Sequence, residues 1–116
     1  METNDVVLAL SALAQASRLA VFRTLVQAGP DGLAAGRIAD LTGIPPSSLS
    51  FHLKELTHAG LTQARQDGRY VIYTARFDSM NALLAYLTEN CCGGQPCAPA
   101  CMPACASSIV DASSPD

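Results

Sequence analysis

Five cysteines lie within fifteen residues of each other near the end of this 116-residue chain: Cys91, Cys92, Cys97, Cys101 and Cys105. The chain starts with the acidic segment Met-Glu-Thr-Asn-Asp and lacks the positive n-region of a signal peptide. No apolar run is long enough to span a membrane. We therefore expect a cytoplasmic protein with reduced thiols, in which clustered cysteines are typical of soft-ion ligands or redox groups.

The number of available thiolates leaves three chemistries open. Trivalent arsenic or antimony takes three thiolates in a pyramidal site that keeps a lone pair. Zinc or cadmium prefers four ligands in a tetrahedron, which five cysteines can also supply. The third interpretation is a thiol redox switch, or cysteines with no ligand at all. An enzyme such as an arsenate reductase is disfavoured, because no phosphate-cradling loop stands near any cysteine.

The composition changes abruptly at Cys91 and divides the chain. The segment that follows is rich in cysteine, proline and alanine, and its prolines exclude a continuous helix. We predict a folded domain over residues 1–90 and a Cys/Pro-rich segment with a flexible tail over residues 91–116. The folded domain must then position the thiols.

A helix-turn-helix occupies the middle of the predicted domain. Leu49, Leu53 and Leu56 repeat at i, i+4 and i+7, which predicts one buried helical stripe, and Gly60 suits the end of that helix. Residues 36–41 form a second short helical pattern upstream. Two short helices joined by a tight turn with glycine are typical of a DNA-binding motif whose second helix enters the major groove. An ordinary surface helix would show the same stripe.

A β-hairpin is predicted after this helix. Residues 61–66 and 69–76 read as two strands around an Asp67-Gly68 turn, which is a strong hairpin signal. The hairpin would form a wing that reaches DNA phosphates, since arginines flank its turn. The alternative is a plain hairpin with solvated arginines.

The charge of the chain is unevenly distributed. The net charge of −3 argues weakly against DNA binding, but residues 37–76 carry five basic and three acidic side chains. DNA contact requires a local basic face rather than a basic protein. We predict DNA contacts from Arg37, Ser47, Ser48, Ser50, His52, Lys54, Arg65 and Arg69.

The predicted helices at the two ends are strongly apolar. Residues 4–14 are apolar around most of the helix, and a second helix over residues 18–27 begins at a Ser17 cap. A last helix begins at an Asp78 cap and runs to about Asn90. We expect the end helices to pair with those of a second copy, which gives two DNA-binding units at half-site spacing. The stripe of the last helix consists of Met80, Leu83, Leu84 and Leu87.

Three segments together resemble a known family. They are Ser-Arg-Leu-Ala-Val-Phe-Arg-Thr-Leu at 17–25, Ile-Ala-Asp-Leu-Thr-Gly at 38–43 and Leu-Ser-Phe-His-Leu-Lys-Glu-Leu-Thr-His-Ala-Gly-Leu at 49–61. Over about residues 4–90 the chain resembles the ArsR/SmtB family of metal-sensing winged-helix repressors. The resemblance implies a mainly α winged helix-turn-helix with a small β-hairpin (ααααββα) that forms a homodimer. It implies no enzyme, but a repressor that leaves double-stranded operator DNA when metal binds.

Departures from the family pattern restrict the expected ligand. Many members place Cys-x-Cys on the first helix of the motif, but residues 37–41 contain no cysteine. Others bind zinc through Asp and His residues of the last helix, which here offers Asp78 and Glu89 but no histidine. The chain therefore resembles the arsenic-responsive subgroup, in which a vicinal cysteine pair ends the last helix. That resemblance implies As(III) or Sb(III) ligation by Cys91, Cys92 and Cys97, with Cys101 and Cys105 as additional candidates.

Overall fold

The computed structural model describes residues 1–94. The predictions for Cys97, Cys101 and Cys105, and for the C-terminal tail, lie outside the described residues. A first compact unit is formed by Met1–Tyr86, and a second unit begins at Leu87. The elements, in chain order, are α1 (Thr3–Leu13), α2 (Ala16–Ala28), a 3₁₀ turn (Gly29–Asp31), β1 (Leu33–Ala34), α3 (Ala35–Thr42), α4 (Pro46–His58), β2 (Thr62–Asp67), β3 (Tyr70–Ala75), α5 (Phe77–Leu87) and a second 3₁₀ turn (Cys91–Gly94).

One core underlies the helices of the first unit. Each helix contributes apolar residues at helical spacing, so one face of every helix is removed from water. The predicted stripe of α4 is buried as expected. The buried apolar residues are Val6, Ala9, Ala12, Val21, Phe22, Leu25, Ile38, Leu49, Leu53, Leu56, Leu61, Ala75 and Leu83.

Local signals fix both ends of α4. Pro46 occupies the first turn, where its missing N–H costs nothing. At the other end Gly60 has φ +78°, and its N–H donates to the Thr57 carbonyl at 3.0 Å. The N–H of Leu61 donates to the Leu56 carbonyl, also at 3.0 Å, which completes a Schellman motif. The helix therefore stops where the chain must turn into the sheet.

The sheet has three strands in the order β1-β3-β2, all antiparallel. The expected two-stranded hairpin is thus incomplete: β1 pairs with the outer side of β3, with Leu33 opposite Tyr73. Its two residues are too short to produce an alternating pattern. The turn between β2 and β3 consists of Gly68 and Arg69, one residue later than predicted, because Asp67 pairs with Tyr70.

Two predicted helix boundaries are wrong. Helix α2 begins before Ser17, and the Gln15 side chain, not that of Ser17, accepts the Arg18 N–H at 2.8 Å. Helix α5 ends at Leu87, not near residue 90, and Asp78 lies inside its first turn. Within residues 1–94, no single helix is long and apolar enough to cross a membrane, and α1 with Ala16–Asp31 reaches that length only across a 102° bend.

Candidate nucleic-acid interface and thiol turn

Helices α3 and α4 form the predicted helix-turn-helix. Gly43 ends α3 in a left-handed conformation, and its N–H donates to the Ala39 carbonyl at 2.8 Å. Ile38 is fully buried, whereas the neighbouring Arg37 is exposed. Arg37 is thus presented on the surface of α3, as a DNA-contacting side chain must be.

The face of α4 opposite its buried leucines is exposed. Residues at spacing i, i+4, i+7 and i+11 share this face because a helix turns about 100° per residue. The face combines a small hydroxyl, an aromatic ring, a cation and an imidazole, and the ring belongs to Phe51, which is 55% exposed. We call this set the outer stripe. It consists of Ser47, Phe51, Lys54 and His58.

Two of the predicted DNA contacts on α4 are engaged with the protein itself. The Ser50 hydroxyl donates to the Pro46 carbonyl at 3.1 Å. His52 is half-buried, and its Nδ1 is buried with no hydrogen-bond partner within residues 1–94. Ser48 is exposed at the start of the helix. The DNA contacts of these three residues stay predictions.

The wing places its two arginines in different surroundings. Arg69 lies in the turn itself and is exposed. Arg65, on β2, donates from its guanidinium to the Asp31 carbonyl at 2.8 Å, which links the wing to the 3₁₀ turn after α2. Tyr70, next to the tip, is 64% exposed. Arg69 is therefore the better placed of the two for a phosphate contact.

The vicinal cysteines lie in a tight turn after α5. Asn90 and Cys92 have φ of +56° and +57°, a left-handed conformation that side-chain-bearing residues rarely adopt. The Sγ atoms of Cys91 and Cys92 lie 3.6 Å apart. Adjacent side chains of an extended strand point to opposite faces, whereas this turn brings the two sulfur atoms close together. Backbone strain of this kind clusters at functional sites.

The described part of this turn does not complete a metal site. No group of three or more His, Cys, Asp or Glu side chains within residues 1–94 is arranged to hold a metal ion. Cys92 is exposed, and Cys91 is disulfide-bonded in this structure. Any third or fourth ligand must come from beyond the described residues or from a second chain.

The carboxylate predicted as a helix cap takes another role. The Arg76 guanidinium donates to Asp78 at 3.0 Å, and this hydrogen bond holds the pKa of the Asp78 carboxyl below its usual value. Asp78 is therefore an ionised partner of a nearby cation. Both side chains are exposed, so the pair adds little to stability.

Comparisons with known proteins agree with this geometry. Residues 13–62 match the helix-turn-helix domain family. The uncharacterized HTH-type transcriptional regulator YceK of Bacillus subtilis (strain 168) is 37% identical over 79 residues, covering 68% of this chain and 78% of YceK. The solved homodimeric winged helix-turn-helix DNA-binding domain of Mb0332 from Mycobacterium bovis, described as a possible ArsR-family regulator, is 29% identical with a TM-score of 0.61. It covers 75% of this chain and 81% of that one.

The chain belongs to the ArsR family of winged helix-turn-helix transcriptional regulators. As an ArsR-family protein it is a DNA-binding regulator and not an enzyme. A further solved structure, described as that of a possible transcriptional regulator for arsenical resistance, is 28% identical with a TM-score of 0.58, covering 68% of this chain and 79% of that chain. The predicted fold and the predicted absence of catalysis are confirmed.

The leucine repeat of α4 already places Phe51 off the buried stripe of this ArsR-family protein, and the ring is 55% exposed, but it was not counted among the predicted DNA contacts. The exposure of Tyr70 was missed, because along β3 it alternates with Val71, which is also exposed.

Proposed function

We propose that this ArsR-family regulator is a homodimeric repressor that leaves its operator when trivalent arsenic or antimony binds the thiolates of Cys91, Cys92 and Cys97. The observation that supports it best is the strained turn after α5, which places the Cys91 and Cys92 sulfurs 3.6 Å apart, with Cys91 in a disulfide that must be reduced before both can act as thiolates. Two thiolates on one tetrahedral zinc ion at about 2.3 Å would be about 3.8 Å apart, so this pair has the spacing of two ligands of one soft ion. Arsenical-resistance genes are the proposed targets, and the cytoplasm, where DNA and reduced thiols coexist, is the proposed location.

The chemistry of the segment favours a metalloid over a hard cation. Thiolates select soft ions, and no carboxylate–imidazole cluster of the described residues competes with them. Gly93, at φ +67°, continues the left-handed turn. Cys97, the next cysteine along the chain, is proposed as the third ligand. A metalloid ligand is also consistent with the likeness to the possible regulator of arsenical resistance.

The proposed homodimer rests on the apolar surface of the terminal helices. Large apolar side chains on α1 and α5 are exposed in the single chain, and such faces are typical of subunit interfaces. The Mb0332 domain, which this chain resembles, is described as homodimeric. The exposed residues are Val7, Leu8 and Leu10 on α1 and Leu84 and Leu87 on α5.

The proposed DNA contacts divide into two groups. Arg37, Lys54 and Arg69 are exposed cations that would contact phosphates, whereas the exposed hydroxyls of Ser47 and Ser48 face the groove. The second group consists of residues that also interact with the protein itself. Ser50 and Arg65 donate hydrogen bonds to backbone carbonyls, and the ring of His52 is partly buried. These three would act partly by stabilising the DNA-binding surface.

Release of a labelled promoter fragment by arsenite tests this proposal. We expect arsenite to dissociate the wild-type complex in a phosphine reductant, which does not compete for arsenic as a dithiol would. Cys91→Ser, Cys92→Ser and Cys97→Ser should each bind DNA as well as wild type and lose release. Cys105→Ser and a truncation after Ala98 are the matched controls and should respond normally.

The same titration separates the alternatives. An unresponsive truncation would move the site to the distal cysteines, and a responsive Cys91→Ser, Cys92→Ser double variant would remove it from this turn. Release by zinc or cadmium, but not by arsenite or antimonite, would replace the metalloid by a four-ligand ion.

A redox-responsive repressor of the same fold is the second candidate, because Cys91 is disulfide-bonded in this structure. Formation of a disulfide from two thiols removes two electrons and two protons, which a mild thiol oxidant such as diamide accepts. If diamide releases DNA, phosphine reverses the release and arsenite has no effect, the redox function replaces the metalloid function.

A further inference from the structure

Phe51 is the large apolar side chain exposed on α4. Its ring is 55% exposed at the centre of the outer stripe, about 200° around α4 from the buried Leu49. An exposed ring of this size leaves a large apolar area in water, which is unfavourable at a surface that binds nothing. Its neighbours on the stripe, Ser47 and Lys54, are polar. The ring therefore stands alone on a hydrophilic face.

The ring of Phe51 is also held in place. It contacts the ring of His52 edge to face, with centroids 5.8 Å apart and planes at 65°. His52 is itself half-buried, with its Nδ1 inside the protein. An aromatic side chain held in this way loses little entropy when it contacts a ligand.

The other exposed apolar side chains have different locations. Half of them lie on α1 and α5, where a second copy would cover them. Leu41 ends α3, and Tyr70 and Val71 belong to the wing. Phe51 lies on the helix that enters the major groove in a helix-turn-helix. In that groove the one apolar group on the base edges is the 5-methyl group of thymine.

We propose that Phe51 contacts a thymine methyl group in each operator half-site and selects thymine at that position. The inference rests on the repressor function proposed above and names one base that the repressor recognises. His52 is a positioning residue, which keeps the Phe51 ring directed into the groove. Ser47 and Lys54 on either side bind polar and phosphate groups and leave the base selection to the ring.

Replacing single thymines by deoxyuridine tests the proposal, because it removes only the methyl group. The full-length protein first selects a duplex from a randomised pool, and that duplex is then resynthesised with one thymine replaced at a time. We expect one symmetry-related pair of positions at which the wild type loses about fourfold in affinity per half-site, the effect of one lost methyl contact. Phe51→Ala should bind the thymine and deoxyuridine duplexes equally.

Two further variants distinguish the loss of a methyl contact from a general disruption of α4. Lys54→Ala, on the same stripe, should lower the salt dependence of binding and keep the full methyl effect. Phe51→Leu, which stays apolar, should keep part of it. Circular dichroism and binding to non-specific DNA show that each variant is folded.

Three results would overturn the inference. The first is a wild type that is indifferent to every deoxyuridine, and the second is a Phe51→Ala variant that keeps the methyl effect. In both cases a selected duplex still binds, so the repressor function survives. If the protein enriches no duplex at all, specific DNA binding fails, and the assignment of Phe51 fails with it.

Discussion

The DNA-binding elements and the terminal helices of this chain distribute their apolar side chains in opposite ways. In α3 and α4 the large apolar residues point into the core apart from Leu41 and Phe51, and the outer stripe of α4 is otherwise polar. In α1 and α5 small residues such as Ala9 and Ala12 are buried, while larger ones such as Leu10 and Leu84 are exposed. The terminal helices are also the more apolar of the two regions.

This difference indicates which parts of the function one chain can complete. The surface of the DNA-binding elements needs no further protein to cover it. The terminal helices leave apolar area in water and are followed by a thiol turn that lacks a third ligand within residues 1–94. Under the function proposed above, each chain supplies its own DNA-binding surface, whereas regulation would depend on a second copy and a ligand.

The substitution with the largest predicted effect disrupts the dimer surface of the terminal helices and leaves the DNA-binding elements folded. Leu84 is 53% exposed on α5, and a charge there would be buried in the proposed dimer. Leu84→Glu should give a folded monomer whose apparent operator affinity is about 10²–10⁴-fold lower, since two linked half-sites are lost. Sedimentation and a gel shift measure the two effects.

An equally exposed leucine in the other region is the control. Leu41, at the end of α3, is 51% exposed, and Leu41→Glu should remain dimeric. A monomeric wild type at micromolar concentration, or a dimeric Leu84→Glu, would contradict the assignment of the two surfaces.

The next substitution destabilises the DNA-binding elements and leaves the dimer surface unchanged. Gly32 has φ +73°, and a Cβ there would lie 2.9 Å from Ile72 Cγ2 and still closer to the Tyr73 carbonyl and Thr74. Gly32→Ala should lower the free energy of unfolding by about 2–4 kcal/mol, because strain and overlap add. Thermal or urea unfolding of the dimer measures it.

Gly36 offers the matched substitution for that experiment. A Cβ at Gly36 meets nothing within 4 Å, and the residue lies inside α3. Gly36→Ala should stabilise the protein by about 0.5–1 kcal/mol, since alanine is the better helix former. Equal losses at the two glycines would show that the close approach at Gly32 is not the cause.

The same comparison explains what the sequence could predict. The leucine repeat of α4 and the Asp-Gly turn are local signals, and they predict the helix-turn-helix and the wing because burial and turn geometry act over a few residues. Strand β1 was not predicted, because its two residues form a strand only by pairing with β3, which is distant in the sequence. Tertiary contacts also shifted the turn by one residue to Gly68-Arg69.

The thiol turn was less predictable than the helices. Composition identified Cys91 and Cys92, but the end of α5 at Leu87 and the left-handed conformation of Cys92 have no local sequence signature. Asparagine adopts positive φ comparatively often, as Asn90 does, whereas a cysteine rarely does so. The exposure of Phe51, in contrast, follows from the leucine repeat of α4, which places this residue off the buried stripe.

A smaller effect distinguishes the two arginines of the wing. Arg69 is exposed at the tip, whereas the Arg65 guanidinium already donates to the Asp31 carbonyl. Arg69→Ala should reduce the slope of log affinity against log salt by about 0.9 per lost phosphate contact, or about 1.8 for two wings. Arg65→Ala should change that slope less and instead lower stability by about 0.5–1.5 kcal/mol. The reverse ranking of slopes would exchange their roles.

The smallest effect concerns a hydroxyl pair that joins the terminal helices. Thr3 Oγ1 and Tyr86 Oη lie 2.6 Å apart, linking the first turn of α1 to the last turn of α5, five residues before Cys91 in the chain. Both groups are accessible to water, so the net value of the bond is at the low end for hydrogen bonds, and Tyr86→Phe should cost about 0.5 kcal/mol. That corresponds to about 2–4 °C in melting temperature. Thr3→Val should cost the same, and the double variant should cost no more than either single one, because the pair acts as a unit. Additive losses would show that the hydroxyls act separately and that α1 and α5 are held together by their apolar contacts alone.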